Sequence, residues 1–405
     1  MERLWLYRLM SLVGLLVMVA LAWAMSENRR KANWRLVAWG LGLQFGLGVI
    51  LLRWTFLRVH FFDYMSKAVG LLLDSTIAGS EMVFGNLATD LEINAVVAFQ
   101  VLPVIIFVSA FTGVLYHLRV IQTVVRGVAW LMRRTLKTSG AETFGSALLI
   151  FLGIESMVAV RGYLREMTRS ELATLMTTFM ATIAGSVMVV YATFGAAPGH
   201  LLTASLMSAP AAILISKLMV PELGEPRTSG KAHIAVPVES HNLVDAAARG
   251  TADGLKLALN IGAMLIAFVG MIFLLDAIFT AVIRYSFTDV MALVFRPFAA
   301  LLGVPVEDNA AVGALLAKKT VFNEFLAYVD LREAVKGATL SPRSITIATY
   351  ALCGFANPGS VGIVIAGMSG LVPERRHEIV QLALKAFIGG TLACFMTACV
   401  AGILT

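Results

Sequence analysis

Long apolar runs recur along the whole chain, and short polar or basic stretches separate them. A helix needs about 20 apolar residues to cross the hydrocarbon core of a bilayer, so each run of this length predicts a transmembrane helix. About eight runs meet the requirement, two of them with an interruption near the middle: Leu9–Met25, Leu36–Leu57, Val96–Tyr116, Leu172–Phe194, His200–Met219, Leu255–Ile283, Ser341–Met368 and Ile379–Leu404. Basic residues before the first run leave a signal peptide as the alternative interpretation of that run.

Three further apolar segments are too short or too polar to be read as spans. Acidic and basic residues are scattered through His60–Phe84, a pattern typical of a helix that lies in the membrane interface. Val120–Leu136 and Val290–Leu302 have the pattern of shorter amphipathic helices. None of the three is therefore counted as a span, and His60–Phe84 and Val290–Leu302 are predicted to be interfacial helices.

Two other segments carry an ionisable side chain in the middle of an apolar run. Gly140–Arg161 contains Glu155, and Asn309–Val329 contains Glu324 together with two lysines. A carboxylate at such a position favours a re-entrant hairpin whose tip reaches the middle of the membrane. The pattern as a whole predicts an all-α polytopic membrane protein with about eight transmembrane helices, two re-entrant hairpins, interfacial helices and an internal inverted repeat.

The interrupted run near the end of the chain contains Gly354-Phe-Ala-Asn-Pro-Gly-Ser360. Proline lacks a backbone donor and glycine disfavours the helix, so a helix that crosses here must open. In hydrocarbon, an opening is tolerated only where protein or a water-filled cavity receives the freed backbone groups. Two interpretations follow: a binding site at the opening, or a kinked helix packed on its neighbours.

The two halves of the chain have the same order of features. A hairpin with Glu155 precedes an opening at Gly185, and a hairpin with Glu324 precedes the opening at Gly354. Paired interrupted segments of this kind indicate the midplane site of a transporter. The repeat divides the chain into scaffold helices with an interfacial helix (1–135), a first transport half (136–219), a polar loop (220–252), a scaffold span with an interfacial helix (253–305) and a second transport half (306–405).

Composition and charge support a membrane protein and exclude several other classes. Hydrophobic residues make up 59% of the chain and charged residues 14%, whereas soluble domains have about 25% charged residues. The net charge of +7 arises from short basic clusters beside apolar runs, which suit loops at an anionic bilayer surface and do not require a nucleic acid partner. Three cysteines without metal-binding spacing predict neither disulfides nor a zinc site. The motifs of serine and zinc hydrolases are missing, so an intramembrane hydrolase is disfavoured and no cofactor is expected.

The sequence resembles the concentrative nucleoside transporter family from Val101 onward. The resemblance rests on seven motifs: Val101-Leu-Pro-Val-Ile-Ile-Phe107, Ser139-Gly-Ala-Glu-Thr143, Met167-Thr-Arg-Ser-Glu-Leu172, Ile183-Ala-Gly-Ser186, Met207-Ser-Ala-Pro210, Asn323-Glu-Phe-Leu-Ala-Tyr328 and Cys353-Gly-Phe-Ala-Asn357. It implies a homotrimer in the inner membrane of a cell, whose transport region moves against a scaffold and imports nucleosides by cation symport. A nucleoside sensor that moves no cargo would need the same residues and remains an alternative.

The resemblance also implies roles for individual residues. Glu324 matches the carboxylate that accepts hydrogen bonds from ribose hydroxyls, Asn357 and Ser360 match its polar partners on the sugar, and Phe355 matches the aromatic ring that packs on the ribose. On the base side, Glu155 matches the hairpin glutamate near the nucleobase, Val187 after the first helix break matches an apolar wall beneath the base, and Gly153 at the hairpin tip is the third candidate. Here the chain has Gly153-Ile154-Glu155 without the glutamine that reads the base in relatives, so the identity of the base, including an atypical one, stays open.

The candidate cation site comprises Leu149, Thr182 and Ile183. The asparagine that helps to bind sodium in sodium-coupled relatives falls here on Leu149 or its neighbour. Because leucine offers a hard cation no side-chain oxygen, the sequence favours protons over sodium as the coupling ion. The sequence does not specify a metal ligand set, the stoichiometry or the orientation in the membrane.

Overall fold

The computed structural model describes residues 4–89, 97–229 and 240–405, and these residues form helices joined by loops. The α-helices, numbered in chain order, are α1 (Leu4–Ala24), α2 (Trp34–Gly48), α3 (Thr55–Phe84), α4 (Leu102–His117), α5 (Val120–Leu136), α6 (Gly140–Leu149), α7 (Arg161–Leu164), α8 (Arg169–Ala181), α9 (Gly185–Thr193), α10 (Pro198–Met219), α11 (Leu243–Ile283), α12 (Phe287–Leu301), α13 (Asn309–Val321), α14 (Glu324–Lys336), α15 (Pro342–Leu352), α16 (Pro358–Leu371) and α17 (Arg376–Leu404).

Within the described ranges, eight helical segments are long and apolar enough to cross a membrane. Seven of them overlap runs that the sequence predicts as spans. The eighth, Thr55–Ala88, covers the segment predicted to lie in the interface, and its mean hydropathy of 1.2 is the lowest of the eight. Length and composition permit both arrangements for this segment, so its interfacial position stays a prediction. The remaining predicted run, Ser341–Met368, is divided into α15 and α16.

Both expected hairpins are present as pairs of short helices. The first consists of α6, a tip at residues 150–153 and the 3₁₀ helix Ile154–Val160. The second consists of α13 and α14, with Phe322 and Asn323 at the tip. Its second arm runs to Lys336, beyond the predicted end at Val329. The apolar run ends there, but the alanine, glutamate and lysine that follow are strong helix formers and continue the helix.

The predicted polar loop from 220 to 252 is too long at its carboxyl end. Helix α11 begins at Leu243, where the Asn242 side chain accepts a hydrogen bond from the backbone N–H of Asp245 at 2.8 Å. An ion pair between Arg249 and Asp245, one turn apart on the helix surface, supports this polar first section. Polarity in the sequence therefore marked an exposed helix, not a loop.

The core lies mainly among the helices of residues 136–219 and 306–405, the two predicted transport halves. In the most apolar stretch of α10, 89% of the residues are buried, whereas none are buried in that of α11. Small residues bring α11 close to α4: a Cβ at Gly250 would lie 2.5 Å from the backbone oxygen of Ser109. Helix α11 thus contacts the rest of the chain along one face and leaves the other free for lipid or for another subunit.

The outer end of each hairpin is held to the start of the following broken helix by a carboxylate. In the first half, Glu171 caps α8 and also accepts a hydrogen bond from Ser139, which itself caps α6. In the second half, Asp308 accepts hydrogen bonds from Ser344 Oγ at 2.5 Å and Ser341 Oγ at 2.7 Å, at the first turn of α15. Burial alone would raise the pKa of Asp308, but the hydrogen bonds from Ser344 and Ser341 hold it below its ordinary value.

We expect Asp308→Ala to lower the free energy of unfolding by about 1–3 kcal/mol, because the buried Ser344 hydroxyl loses its acceptor. Thermal unfolding of the purified protein in detergent at neutral pH measures the effect. A carboxyl group with a lowered folded-state pKa stabilises the protein above its unfolded-state pKa, and this contribution disappears as the pH falls through the folded-state value. The difference between wild type and variant should therefore shrink in acid. Glu307→Ala, at the exposed neighbouring residue, is the control, and equal unfolding of all three proteins contradicts the prediction.

Candidate functional site

The two helix breaks lie against each other in the centre of the molecule. The break between α8 and α9 and the break between α15 and α16 are joined by a hydrogen bond from the backbone N–H of Phe355 to the carbonyl of Thr182, at 3.3 Å. Glycine is required at residue 354 because a Cβ there would lie 2.9 Å from the carbonyl oxygen of Ala181. A backbone group freed by one helix break therefore forms a hydrogen bond with a backbone group freed by the other.

The first hairpin tip closes on the first break. The backbone N–H of Gly185, the first residue of α9, donates to the carbonyl of Phe151 at 2.9 Å. Gly153 ends the tip and precedes the 3₁₀ helix Ile154–Val160. The tip and the break thus form one continuous wall.

The second hairpin tip delivers a buried carboxylate to the same region. Glu324 is 6% exposed, and its two oxygens accept hydrogen bonds from different helices. Tyr191 on α9 donates through its hydroxyl to Oε1 at 2.7 Å, and Asn357 donates through Nδ2 to Oε2 at 2.6 Å. Short hydrogen bonds to a carboxylate are the strong kind and fix its orientation.

Two helix amino termini meet at this carboxylate. Asn323 caps α14 through a hydrogen bond from the Leu326 N–H at 2.9 Å, so Glu324 is the first residue of that helix. Asn357 caps α16 through a hydrogen bond from the Ser360 N–H at 2.8 Å while its amide nitrogen holds Glu324. The positive ends of both helix dipoles therefore favour a negative charge here.

A cavity of about 500 Å³ opens beside the carboxylate, a size suited to a small-molecule ligand. It is lined by six of the predicted site residues: Gly153, Val187, Glu324, Phe355, Asn357 and Ser360. The seventh, Glu155, has a side chain that lies outside the described part of the chain, although its neighbours Ile154 and Ser156 line the same cavity. Phe179 packs near Phe355, with ring centroids 5.6 Å apart.

The predicted cation residues lie together behind the cavity, where α6 and α8 end. The Thr182 hydroxyl donates to the carbonyl of Leu149 at 3.0 Å. Leu149, Thr182 and Ile183 are each 1% exposed. The negative ends of two helix dipoles and several main-chain carbonyls meet there, which is an environment that favours a cation. Across the described residues, no cluster of three or more histidine, cysteine or acidic side chains is placed to hold a metal ion.

Sequence reasoning missed Tyr191 as a site residue. Its ring stacks on Tyr328 with centroids 4.3 Å apart, and its hydroxyl holds Glu324. The only signal in the sequence was a single phenol in the otherwise small and apolar segment that follows Gly185. Such a hydroxyl needs a partner when it is buried, so it was a candidate ligand for one of the carboxylates.

Models of known protein families match consecutive parts of the chain. Residues 13–87 match the Na⁺ dependent nucleoside transporter N-terminus, residues 98–198 match a nucleoside recognition domain, and residues 200–402 match the Na⁺ dependent nucleoside transporter C-terminus. Together the three models span most of the chain, from residue 13 to residue 402.

Individual proteins are similar over nearly the whole chain. Solute carrier family 28 member 3 of Rattus norvegicus is 42% identical over 100% of this chain, which spans 59% of that protein. Sodium/nucleoside cotransporter 1 of Mus musculus is 38% identical over 98% of this chain and 64% of its own length. The chain thus spans roughly three-fifths of the length of these curated relatives.

Solved structures match the fold closely. CNTnw in an inward-facing substrate-bound state superposes with a TM-score of 0.93 at 34% identity, covering 98% of this chain and 99% of that one. A CNTnw variant in an outward-facing state also has a TM-score of 0.93, at 33% identity over 99% of each chain. The prediction of an all-α polytopic membrane protein is confirmed by this match. The chain belongs to the concentrative nucleoside transporter family.

Proposed function

We propose that this chain is a secondary active transporter that imports nucleosides by cation symport, with the ribose bound at Glu324. The observation that carries the proposal is the Glu324 carboxylate, held by Tyr191 and Asn357 at the edge of a central cavity. The names of its relatives are those of transporters and not of enzymes, which supports the expectation that the chain is not an enzyme. The activities that these names describe are proposed for this chain and not transferred directly, because the chain spans only part of the relatives' length.

The chemistry of the site suits a pair of neighbouring hydroxyl groups. An ionised carboxylate offers about four acceptor positions, and the protein uses two of them in the described contacts. Two vicinal ribose hydroxyls have the donors and the spacing to take the others. Phe355 lines the same cavity and gives the sugar an apolar face, and Ser360 adds a hydroxyl.

Apolar side chains make up much of the proposed base side of the cavity. Ile154, Val187 and Phe179 line it together with Ser156 and Ser186, and no charged side chain in the described part of the first hairpin tip matches the Glu324 carboxylate on the proposed sugar side. We propose that the protein selects the sugar more strictly than the base. A nucleoside with an atypical base fits the same sugar contacts and is the second candidate cargo. A third possibility is a sensor that binds nucleoside without moving it. Vesicle uptake distinguishes it from a transporter of either cargo, because only a transporter accumulates unchanged cargo inside the vesicles.

We propose sodium as the coupling cation, at the carboxyl ends of α6 and α8. The sequence favours protons because Leu149 lacks an oxygen, whereas the matching family models and relatives carry sodium in their names. The Thr182 hydroxyl and main-chain carbonyls remain available as oxygen ligands. A site without the asparagine oxygen should bind sodium weakly.

Assembly and movement complete the proposal. The solved CNTnw structures are described as inward-facing and outward-facing, which supports alternating access for a chain with the same fold. The free apolar face of α11 suits a homotrimer in the inner membrane, with lipid around the subunits. Both the trimer and the inner membrane are proposals.

We expect Glu324→Gln to reduce nucleoside uptake by about 10- to 100-fold, since a hydrogen bond to a charged group contributes about 1.5–3 kcal/mol. Uptake of labelled uridine and adenosine into proteoliposomes measures this. Glu333→Gln on the exposed side of the same helix is the matched control and should transport normally. Uptake by Glu324→Gln at the wild-type rate would place the ribose elsewhere.

The cation site predicts two substitutions with opposite effects. Leu149→Asn supplies a side-chain oxygen and should lower the half-saturating sodium concentration several-fold. Thr182→Val keeps the shape of the side chain but removes its hydroxyl, and it should raise that concentration. The measurement is uptake against sodium concentration at constant ionic strength, with and without a pH gradient. Uptake that follows the pH gradient and ignores sodium in all three proteins would restore protons as the coupling ion.

A further inference from the structure

A buried lysine lies at the second helix break. Its place there corresponds to that of the candidate cation site at the first helix break. Lys319 is in the last turn of α13 and is 0% exposed. Its ammonium donates to the carbonyl of Ala351, in the last turn of α15, at 2.7 Å. Among the described side chains, which do not include that of Glu155, no carboxylate oxygen lies within 4.0 Å of this nitrogen. A positive charge has therefore been buried at this point without a direct anionic partner.

The two halves offer the same electrostatic environment at this point. In the first half, the carboxyl ends of α6 and α8 meet where Thr182 donates to the Leu149 carbonyl. In the second half, the carboxyl ends of α13 and α15 meet where Lys319 donates to the Ala351 carbonyl. Carbonyls in the last turn of a helix have no partner within the helix, and the helix dipole makes this end negative. Each pair of ends therefore attracts a cation.

The difference between the halves is the group that fills this place. A neutral hydroxyl occupies it in the first half, which leaves the negative potential of the two helix ends for an exchangeable ion. A covalently attached ammonium occupies it in the second half, and that ammonium also interacts electrostatically with Glu324. We propose that Lys319 is a built-in cation at the second break. It occupies the place that corresponds to the coupling-cation site of the first break, so that each subunit exchanges one cation rather than two.

This inference rests on the cation site proposed above for the first break. It predicts that removing the charge of Lys319 opens a second, weaker site for a monovalent cation. In Lys319→Met, a side chain of similar length and without charge replaces the lysine, and Glu324 loses the nearby positive charge. A second sodium ion should then be needed to restore the cargo site.

The neighbouring Lys318 provides a matched control. It lies in the same last turn of α13, but its side chain is 21% exposed and pairs with Asp330. Lys318→Met therefore removes the same charge from the same helix end without emptying the buried position. Lys319→Arg keeps a cation at the buried position and tests whether charge suffices.

The first measurement is nucleoside uptake into proteoliposomes as sodium chloride replaces choline chloride at constant ionic strength. Wild type, Lys318→Met and Lys319→Arg should show a Hill coefficient for sodium of about 1, and Lys319→Met a coefficient approaching about 2 with a several-fold higher half-saturating concentration. Lys319→Met with the wild-type sodium dependence overturns the proposal. A loss of uptake in Lys319→Met that sodium does not relieve at any concentration also overturns it.

The second measurement does not depend on transport. The thermal unfolding temperature of each purified protein is followed over the same replacement of choline by sodium. Lys319→Met should start lower than wild type in choline and gain more from sodium, whereas Lys318→Met should follow wild type. An equal gain in both variants contradicts a second ion site. A wild-type protein without uptake but with these stability differences would refute the proposed function and leave this inference standing.

Discussion

The central constraint on this molecule is that backbone polar groups find no water in the hydrocarbon core of a bilayer. An unsatisfied N–H or C=O there costs several kcal/mol, so an opened helix must meet other protein groups. The Phe355 N–H accordingly donates to the Thr182 carbonyl, and the Gly185 N–H donates to that of Phe151. The breaks and hairpin tips come together because each supplies what the other lacks, and the cavity is the space left at that junction.

The same constraint determines the sign of charge at each position. The amino termini of α14 and α16 point toward Glu324, and their dipoles favour an anion by up to about 2 kcal/mol in partly buried geometries. The carboxyl termini of α13 and α15 meet at Lys319, and those of α6 and α8 meet at Thr182. Charged groups thus occupy the helix ends that suit them, and two hydrogen bonds from other helices hold the Glu324 carboxylate in place.

Much of this organisation was readable from the sequence because it depends on local signals. Glycine and proline at residues 354–360 marked a break, and a central carboxylate marked each hairpin. Helix ends at Leu243 and Lys336 were misjudged because polarity stops an apolar pattern without stopping a helix. Tyr191 was missed for a different reason. Its partner Glu324 lies 133 residues further along the sequence, and the pattern of an apolar segment gives no information about contacts between residues so far apart in the sequence.

The two sides of the proposed cargo site differ in the other roles of their residues. Asn357 caps α16 with its oxygen and holds Glu324 with its nitrogen, so any replacement there disturbs both the break and the orientation of Glu324. Ile154 begins a 3₁₀ helix at a tip whose backbone already satisfies the break through Phe151. Its mostly buried side chain lines the cavity and packs against α16 near Gly367, and it makes no hydrogen bond. Helix capping therefore fixes Asn357 at the proposed sugar contact, whereas Ile154, on the proposed base side, has a packing role and no capping role. Because helix capping and the proposed sugar contact use the same side chain of Asn357, we expect substitutions to be tolerated better on the proposed base side than on the proposed sugar side.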